Sequence, residues 1–288
     1  MTVPATDNEI SMNIVGAVRN GGSALKETIH RIEDLSKRLG QHSVIIATND
    51  NTDDTDQILS EYKERCAEVQ VIRLDGMISG ISERVERITA ARNSILESLE
   101  KSSFDNTLTL MLDLDGPNVR LNPEAVLAAA KRSEFSWDAV FANSTPAYYD
   151  LYALRCQGWC EEDVWQQIHN ARKPLFGKRK WRRSLLKTMI HDRQFHIPAD
   201  CGLIPVDSAF AGAGLYKTQA LHGLRYKCRD EENRLVCEHV LFHQEMRSRG
   251  ARLYIDPALT TTAPQEHLGE GSGAPFPSNI QTLSSGAT

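Results

Sequence analysis

Two carboxylates close an apolar run: residues 108 to 116 read LTLMLDLDG, with Asp113 and Asp115 at the end and Gly116-Pro117 breaking the pattern. Carboxylate oxygens are the ligands that hard divalent cations prefer, and residues two apart along a strand project to the same side. The pair therefore suits a shared cation, which can hold a diphosphate and neutralise its charge as it departs. Plain turn chemistry is the alternative, with Asp115 capping the loop at Pro117. The uninterrupted apolar residues before Asp113 mark a strand buried on both faces, and the carboxyl ends of such strands border the ligand crevice of open α/β sheets.

Other segments carry side chains that could serve the same crevice. SERVERITAARNSILES (82–98) has helical spacing, and its apolar residues leave Arg84, Arg87, Arg92 and Asn93 to be accounted for. Either these arginines form a solvated face balanced by Glu83 and Glu86, or some lean over the crevice to bind a base or diphosphate. Residues 148–155, YYDLYALR, suit a polyol site, since aromatic faces stack on sugars and Asp150 can bond hydroxyls; a sheet extension with a structural Asp150 reads equally well. In PVDSAFAGAGLY (205–216), Gly212 and Gly214 fit close approach of a ligand, or simply tight strand packing. A helix over 236–249 starts with Cys237-Glu238-His239. Glu238 can act there as a base aimed at the crevice. His239 and His243 have chelating i, i+4 spacing but lack the H-E-x-x-H pattern, which favours packing.

A net charge of −5 argues against a general nucleic-acid binder, and 41% hydrophobic with 25% charged residues fits a globular protein. No apolar run is long enough to cross a bilayer and the N-terminus lacks signal-peptide features, so a cytoplasmic location, peripheral to a membrane at most, is expected. The six cysteines show no C-x-x-C pair, which points away from a zinc site or a disulfide scaffold. One segment departs from the acidic background: residues 172–183, RKPLFGKRKWRR, place seven basic residues around Phe176 and Trp181. That composition belongs on the surface and suits an anionic membrane face, a lipid phosphate or an acidic glycan; a solvated loop is the alternative.

The positioning elements follow from hydrophobic periodicity. Buried strands are predicted over 12–18, 43–48, 69–74 and 137–142, besides the acidic one, with a short last strand over 253–255. Helices are predicted from Ser23, as cap, to about Leu39, where Gly40 stops the helix, then over 54–65, 82–98 and 122–131, the last capped by Asn122 with Pro123 in its first turn. Gly76 to Gly80 reads as a flexible loop. A β-α-β-α-β order with short connections implies parallel strands joined by right-handed crossovers. The expected architecture is α/β: a Rossmann-like, mixed but mainly parallel sheet flanked by helices. It occupies 13–259 as one domain, with a basic helical insert at 160–195, a loose N-terminus at 1–12, and a tail at 260–288 that lies partly over the active site or is disordered.

In this order, VGAVRNGG, IATNDNTDDT, RITAARNSILE, MLDLDG, SAFAGAGLYK and CEHVLFHQEMRSRG resemble nucleotide-sugar glycosyltransferases of the GT-A fold. The chain is similar in particular to the fungal capsule-associated mannosyltransferases and related bacterial transferases, from about Asn13 to Pro257. The resemblance implies transfer of a sugar, a hexose such as mannose, from a GDP- or UDP-sugar to a hydroxyl of a glycan or glycolipid, as in polysaccharide biosynthesis. It implies Mn²⁺ or Mg²⁺ held by Asp113 and Asp115, with His267 the candidate third ligand. It assigns Arg19 and Asp50 to the nucleoside pocket and matches Arg87, Arg92 and Asn93 to the residues before the acidic strand. Gly212 and Gly214 fall on the wall of the sugar site, and Glu238 where inverting members place a base. Two rivals stay open: a nucleotidyltransferase of related fold, which a glycine-rich phosphate loop after the first strand would favour but for which Arg19-Asn20-Gly21-Gly22 is too short, and a non-catalytic glycan- or lipid-binding module. A Rossmann dehydrogenase is disfavoured because no G-x-G-x-x-G follows the first strand.

Overall fold

The computed structural model describes residues 7–102 and 106–283. From the N-terminus, β1 (Asp7–Val18), α1 (Gly22–Ser36), β2 (Leu39–Thr48), α2 (Thr55–Arg65) and β3 (Val69–Arg73) form two successive β-α-β units. A short helix α3 (Met77–Gly80) and the long α4 (Arg84–Lys101) then lead into β4 (Leu108–Asp113), followed by α5 (Pro123–Ala130) and β5 (Ala139–Thr145). The insert carries α6 (Val164–Asn170) and α7 (Lys178–Met189), and the chain closes through β6 (Phe195–His196), β7 (Ile204–Pro205), β8 (Ala213–Lys217), α8 (Glu238–Ser248), β9 (Leu253–Thr262) and β10 (Ala274–Pro275).

Eight strands make one sheet in the order β3-β2-β1-β4-β8-β5-β9-β7, and β6 pairs with β10 in a small second sheet. The pairs β1–β2, β2–β3, β1–β4 and β5–β9 are parallel, whereas β8 runs antiparallel between β4 and β5. The mixed, mainly parallel sheet expected from the sequence is therefore present. Its strands read as continuous apolar runs because both faces are covered. Val15, Ile45 and Met111 pack with Ile95, Leu96 and Leu99 of α4, while Ile14, Val44, Leu110 and Leu112 pack with Leu25 and Ile29 of α1 and Val126 of α5.

Several boundaries differ from expectation. Helix α1 ends at Ser36 and Leu39-Gly40 begin β2, because Leu39 is buried and pairs with Asp7 at the start of β1. Periodicity alone could not see that competing strand partner. The α1 cap is Gly21 rather than Ser23; the Thr55 hydroxyl accepts the Gly21 N–H at 2.8 Å and secures the turn. Residues 7–12, expected to be loose, extend β1, while 1–6 lie outside the described residues. The segment read as a flexible loop holds the short helix α3 over Met77–Gly80, with Gly76 as its N-cap. At the other end, β9 continues to Thr262, and Leu283 bridges back to Leu203. Asn122 caps α5 as expected, accepting the Glu124 N–H at 3.0 Å. Among the described residues no helix is long and apolar enough to cross a membrane.

Candidate active site

Strand β4 delivers Asp113 to the carboxyl edge of the sheet and stops there. The Asp113 N–H donates to the Gly212 carbonyl at 2.8 Å, and the Asn118 amide donates to the carbonyls of Asp113 at 2.8 Å and Gly212 at 2.7 Å, which folds the turn back onto the strand end. Leu114 is buried in the core while Asp113 and Asp115 both border one cavity of about 1080 Å³. Alternation thus holds, although the second carboxylate stands on the turn and not in the strand. Asp115 is exposed and makes no hydrogen bond or ion pair among the described residues.

Arg92 organises the floor of this cavity. From α4 its guanidinium donates to Asp113 Oδ1 at 3.1 Å and also pairs with Glu238 Oε1 at the start of α8. It lies over Phe210 at 5.1 Å and Tyr226 at 5.7 Å, contacts that favour a cation held away from water. Burial works against its charge, and Glu238 and Asp113 more than restore it. Burial pushes the Asp113 carboxyl up to about 7, against the pull of Arg92 and assisted by Asp115, Asp150 and Glu238. Asp150 is raised by burial too, although it accepts the N–H groups of Ala153 at 3.2 Å and Ala211 at 3.1 Å. One buried cation thus faces three carboxylates, so the floor is short of positive charge.

The expected site residues divide into two groups. Arg19, Arg87, Arg92, Asp113, Asp115, Glu238 and His267 all border the cavity, as do Arg84, Tyr149 and Asp150. Arg87 also donates to the carbonyls of Ile81 and Ser82, fastening the start of α4, and Arg19 Nε donates to the Asp50 carbonyl at 3.3 Å. Asp50, Asn93, Gly212 and Gly214 do not border it. The Asp50 carboxylate accepts the N–H groups of Gly76 at 2.6 Å and Ile78 at 2.9 Å, caps α3, and is held below the usual carboxylate range by Asn49 and those bonds. Asn93 instead clamps Tyr226, donating to its carbonyl at 3.0 Å and accepting its N–H at 2.8 Å.

Packing explains both glycines. At Gly212 φ is +86° and a Cβ would lie 2.6 Å from Pro117 Cβ; at Gly214 a Cβ would meet the Tyr216 ring at 2.9 Å and the Phe141 ring at 3.1 Å. Of the histidine pair, His243 is held in the packing, whereas His239 also borders the cavity. His243 bridges the hydroxyls of Ser208 and Tyr216, each at 2.9 Å, and burial lowers its imidazole to about 3. His239 stacks on Phe210 at 3.9 Å with both ring nitrogens unpaired.

Two contributors gave no sequence signal. The buried Gln194 amide donates to the His267 carbonyl at 2.8 Å and the Tyr149 carbonyl at 3.2 Å, tying the C-terminal segment to the segment after β5. His267 stacks on the Tyr149 ring at 5.5 Å. Asn118, the brace of the acidic turn, sits in a stretch that reads only as a loop. Among the described residues no group of three or more His, Cys, Asp or Glu side chains is gathered as a ready-made metal site.

No protein-family model matches the chain, and no curated protein matches it. Solved structures do. Residues 1–349 of TarS from S. aureus superpose with a TM-score of 0.52 at 14% identity, covering 88% of this chain and 60% of that one. The mannosyltransferase PcManGT from Pyrobaculum calidifontis, in complex with GDP-Man and Mn²⁺, gives a TM-score of 0.50 at 12% identity, covering 91% of this chain and 60% of that one. The chain thus spans 60% of the length of either, and at these identities the likeness concerns the fold: the mainly parallel sheet flanked by helices is that of the GT-A fold.

Proposed function

We propose that the chain is a metal-dependent glycosyltransferase that moves a sugar from a nucleoside diphosphate donor to an acceptor hydroxyl. The observation carrying this reading is the pair Asp113 and Asp115 at the carboxyl end of β4, on the wall of a cavity of about 1080 Å³, with Asp115 unpaired. Fold-level likeness alone warrants no activity. A hexose donor is the favoured class, mannose being the sugar of the PcManGT complex, and the acceptor class is a glycan or glycolipid hydroxyl.

The donor set fits a hard divalent cation such as Mn²⁺ or Mg²⁺. Asp115 and Asp113 offer carboxylate oxygens and His267 an imidazole without a hydrogen bond among the described residues, all on one cavity. The two carboxylates alone would leave room for diphosphate oxygens and water; His267 borders the same cavity, but among the described residues it is not gathered with them into a three-ligand cluster. When bound, the cation supplies neutralisation of the charge that gathers on the departing diphosphate.

The chain's own residues do the rest. Arg92 fixes Asp113 through Oδ1, at the border of the cavity. Arg84, exposed and unpaired among the described residues, and Arg19 are donors suited to phosphate oxygens. Glu238, pinned by Arg92 at the first turn of α8, holds a carboxylate where an acceptor hydroxyl can hydrogen-bond it and pass it a proton. Tyr149 and Asp150 present an aromatic face and a carboxylate suited to a sugar.

Thermal shift with UDP, GDP and CMP, each with and without Mn²⁺, tests the reading. The expected result is a rise for one base that needs the metal; no rise with any nucleotide overturns it.

A further inference from the structure

The basic insert is not explained by nucleotide chemistry. Its tip lies between α6 and α7, where Leu175 is 88% and Phe176 89% exposed. Around them stand Arg172, Lys173, Lys178, Arg179, Lys180, Arg182 and Arg183, all exposed, with no acidic residue in the twelve-residue stretch of a chain whose net charge is −5. Only Arg183 has an ion-pair partner, Glu270, and that pair is 82% and 74% exposed; the other six side chains have no hydrogen bond or ion pair among the described residues. Helix α7 is fastened by its other face, where Leu186 and Met189 pack against the core. Lys178, Arg179, Lys180, Arg182 and Arg183 thus ride on a seated helix, and the apolar pair Leu175 and Phe176 stands exposed immediately before it, among the cations.

We propose that this tip docks on an anionic lipid bilayer, Leu175 and Phe176 entering the interface and the surrounding lysines and arginines meeting lipid phosphates. Charge complementarity selects an anionic partner, and the apolar pair selects a bilayer among anionic partners. A polyanionic glycan or nucleic acid satisfies the cations but gives Leu175 no apolar medium. Apolar insertion combined with a polybasic patch is the two-signal arrangement that makes peripheral attachment stable.

The insert also walls the cavity. Trp165 of α6, Leu186 of α7 and the following Ile190 and His191 border it. Eight residues of helix separate Lys178 from Leu186, about 12 Å at helical rise. A bilayer docked at Lys178 would thus lie within about that distance of the cavity wall at Leu186. On the glycosyltransferase reading, on which this step rests, the acceptor is therefore a hydroxyl carried at the membrane surface.

Vesicle co-sedimentation of the full chain, without nucleotide or metal, tests the docking independently of any transferase activity. The chain should pellet with phosphatidylcholine–phosphatidylserine vesicles and not with phosphatidylcholine alone, and salt should weaken the binding. The double variant Leu175→Ser with Phe176→Ser should bind at least about tenfold more weakly, and Lys178→Glu with Arg179→Glu and Arg182→Glu should bind about a hundredfold more weakly. All these positions are exposed, and an unchanged melting temperature checks that the variants fold. Failure to pellet with anionic vesicles, or equal binding to neutral ones, overturns the proposal. So does a Leu175/Phe176 variant that binds like the parent, a result that would identify the patch as a polyanion site.

Discussion

Arg92→Met removes the one cation of the cavity floor and keeps an apolar stem over Phe210 and Tyr226. A unit-charge pair about 4 Å apart is worth about 4 kcal/mol at an effective dielectric of about 20, and Arg92 makes two such contacts, with Asp113 and Glu238. Relief of the burial of Arg92 itself offsets part of this, so the net loss should be the ~3–5 kcal/mol typical of a broken buried pair. The loss should also depend on pH. Burial already raises Asp113 to about 7, and without Arg92 it rises further. A carboxyl raised on folding leaves the native state holding more protons than the unfolded one, so stability falls as pH climbs from the unfolded to the folded pKa. In the parent that fall ends near 7, whereas in the variant it continues upward, and the gap should be wider at pH 8 than at pH 6. Urea unfolding at both values measures it, with Arg92→Lys retaining most of the stability and Glu238→Gln partly rescuing Arg92→Met. A deficit below about 1 kcal/mol at pH 8, or one equal at the two pH values, would refute the account of Arg92 as counter-charge.

Asp115→Asn should abolish the metal-dependent thermal shift with nucleotide yet leave urea stability within about 0.5 kcal/mol, because this exposed carboxylate has no hydrogen bond or ion pair among the described residues; an unchanged shift would remove it from metal binding. Gly212→Ala should cost about 3 kcal/mol in urea unfolding, combining strain at φ +86° with a Cβ 2.6 Å from Pro117, and should weaken donor binding, since the Gly212 carbonyl positions Asp113. A cost under about 1 kcal/mol would show that the turn relaxes freely. Mn²⁺ affinity in the presence of nucleotide should rise from pH 6 to pH 8, approaching about tenfold per unit below 7, because Asp113 must shed its proton to bind; titration calorimetry giving a flat profile would exclude Asp113 as a ligand.

Local pattern located six of the ten strands of the described residues (β1 to β5 and β9), the longer helices between them and the place of the acidic pair, but not β6, β7, β8, β10 or the short α3. A short apolar run closed by a Gly-Pro break suits a strand buried on both faces, so, although only Asp113 lies in the strand and Asp115 stands on the turn after it, the acidic pair was legible at a sheet edge from nine residues. The partners of polar groups were not. Asp50 looked like a ligand residue until α3 supplied the N–H groups it caps, and Asn93 until Tyr226 came beside it from 133 positions along the chain. Gly212 and Gly214 needed Pro117, Tyr216 and Phe141 to become packing glycines. Nor does any periodicity place Gln194 against the carbonyls of Tyr149 and His267, or Asn118 beneath the acidic turn.

The amino-acid order by itself determined which segments must be buried and where charge must gather, because hydrophobic spacing acts over a turn or a strand. The tertiary structure alone decided which charges meet. It inserts β8 antiparallel between β4 and β5, and it brings Arg92 from α4 between Asp113 and Glu238, residues 21 and 146 positions away. In a buried cavity the ionisation of a carboxyl depends on those distant neighbours, which short-range pattern cannot encode.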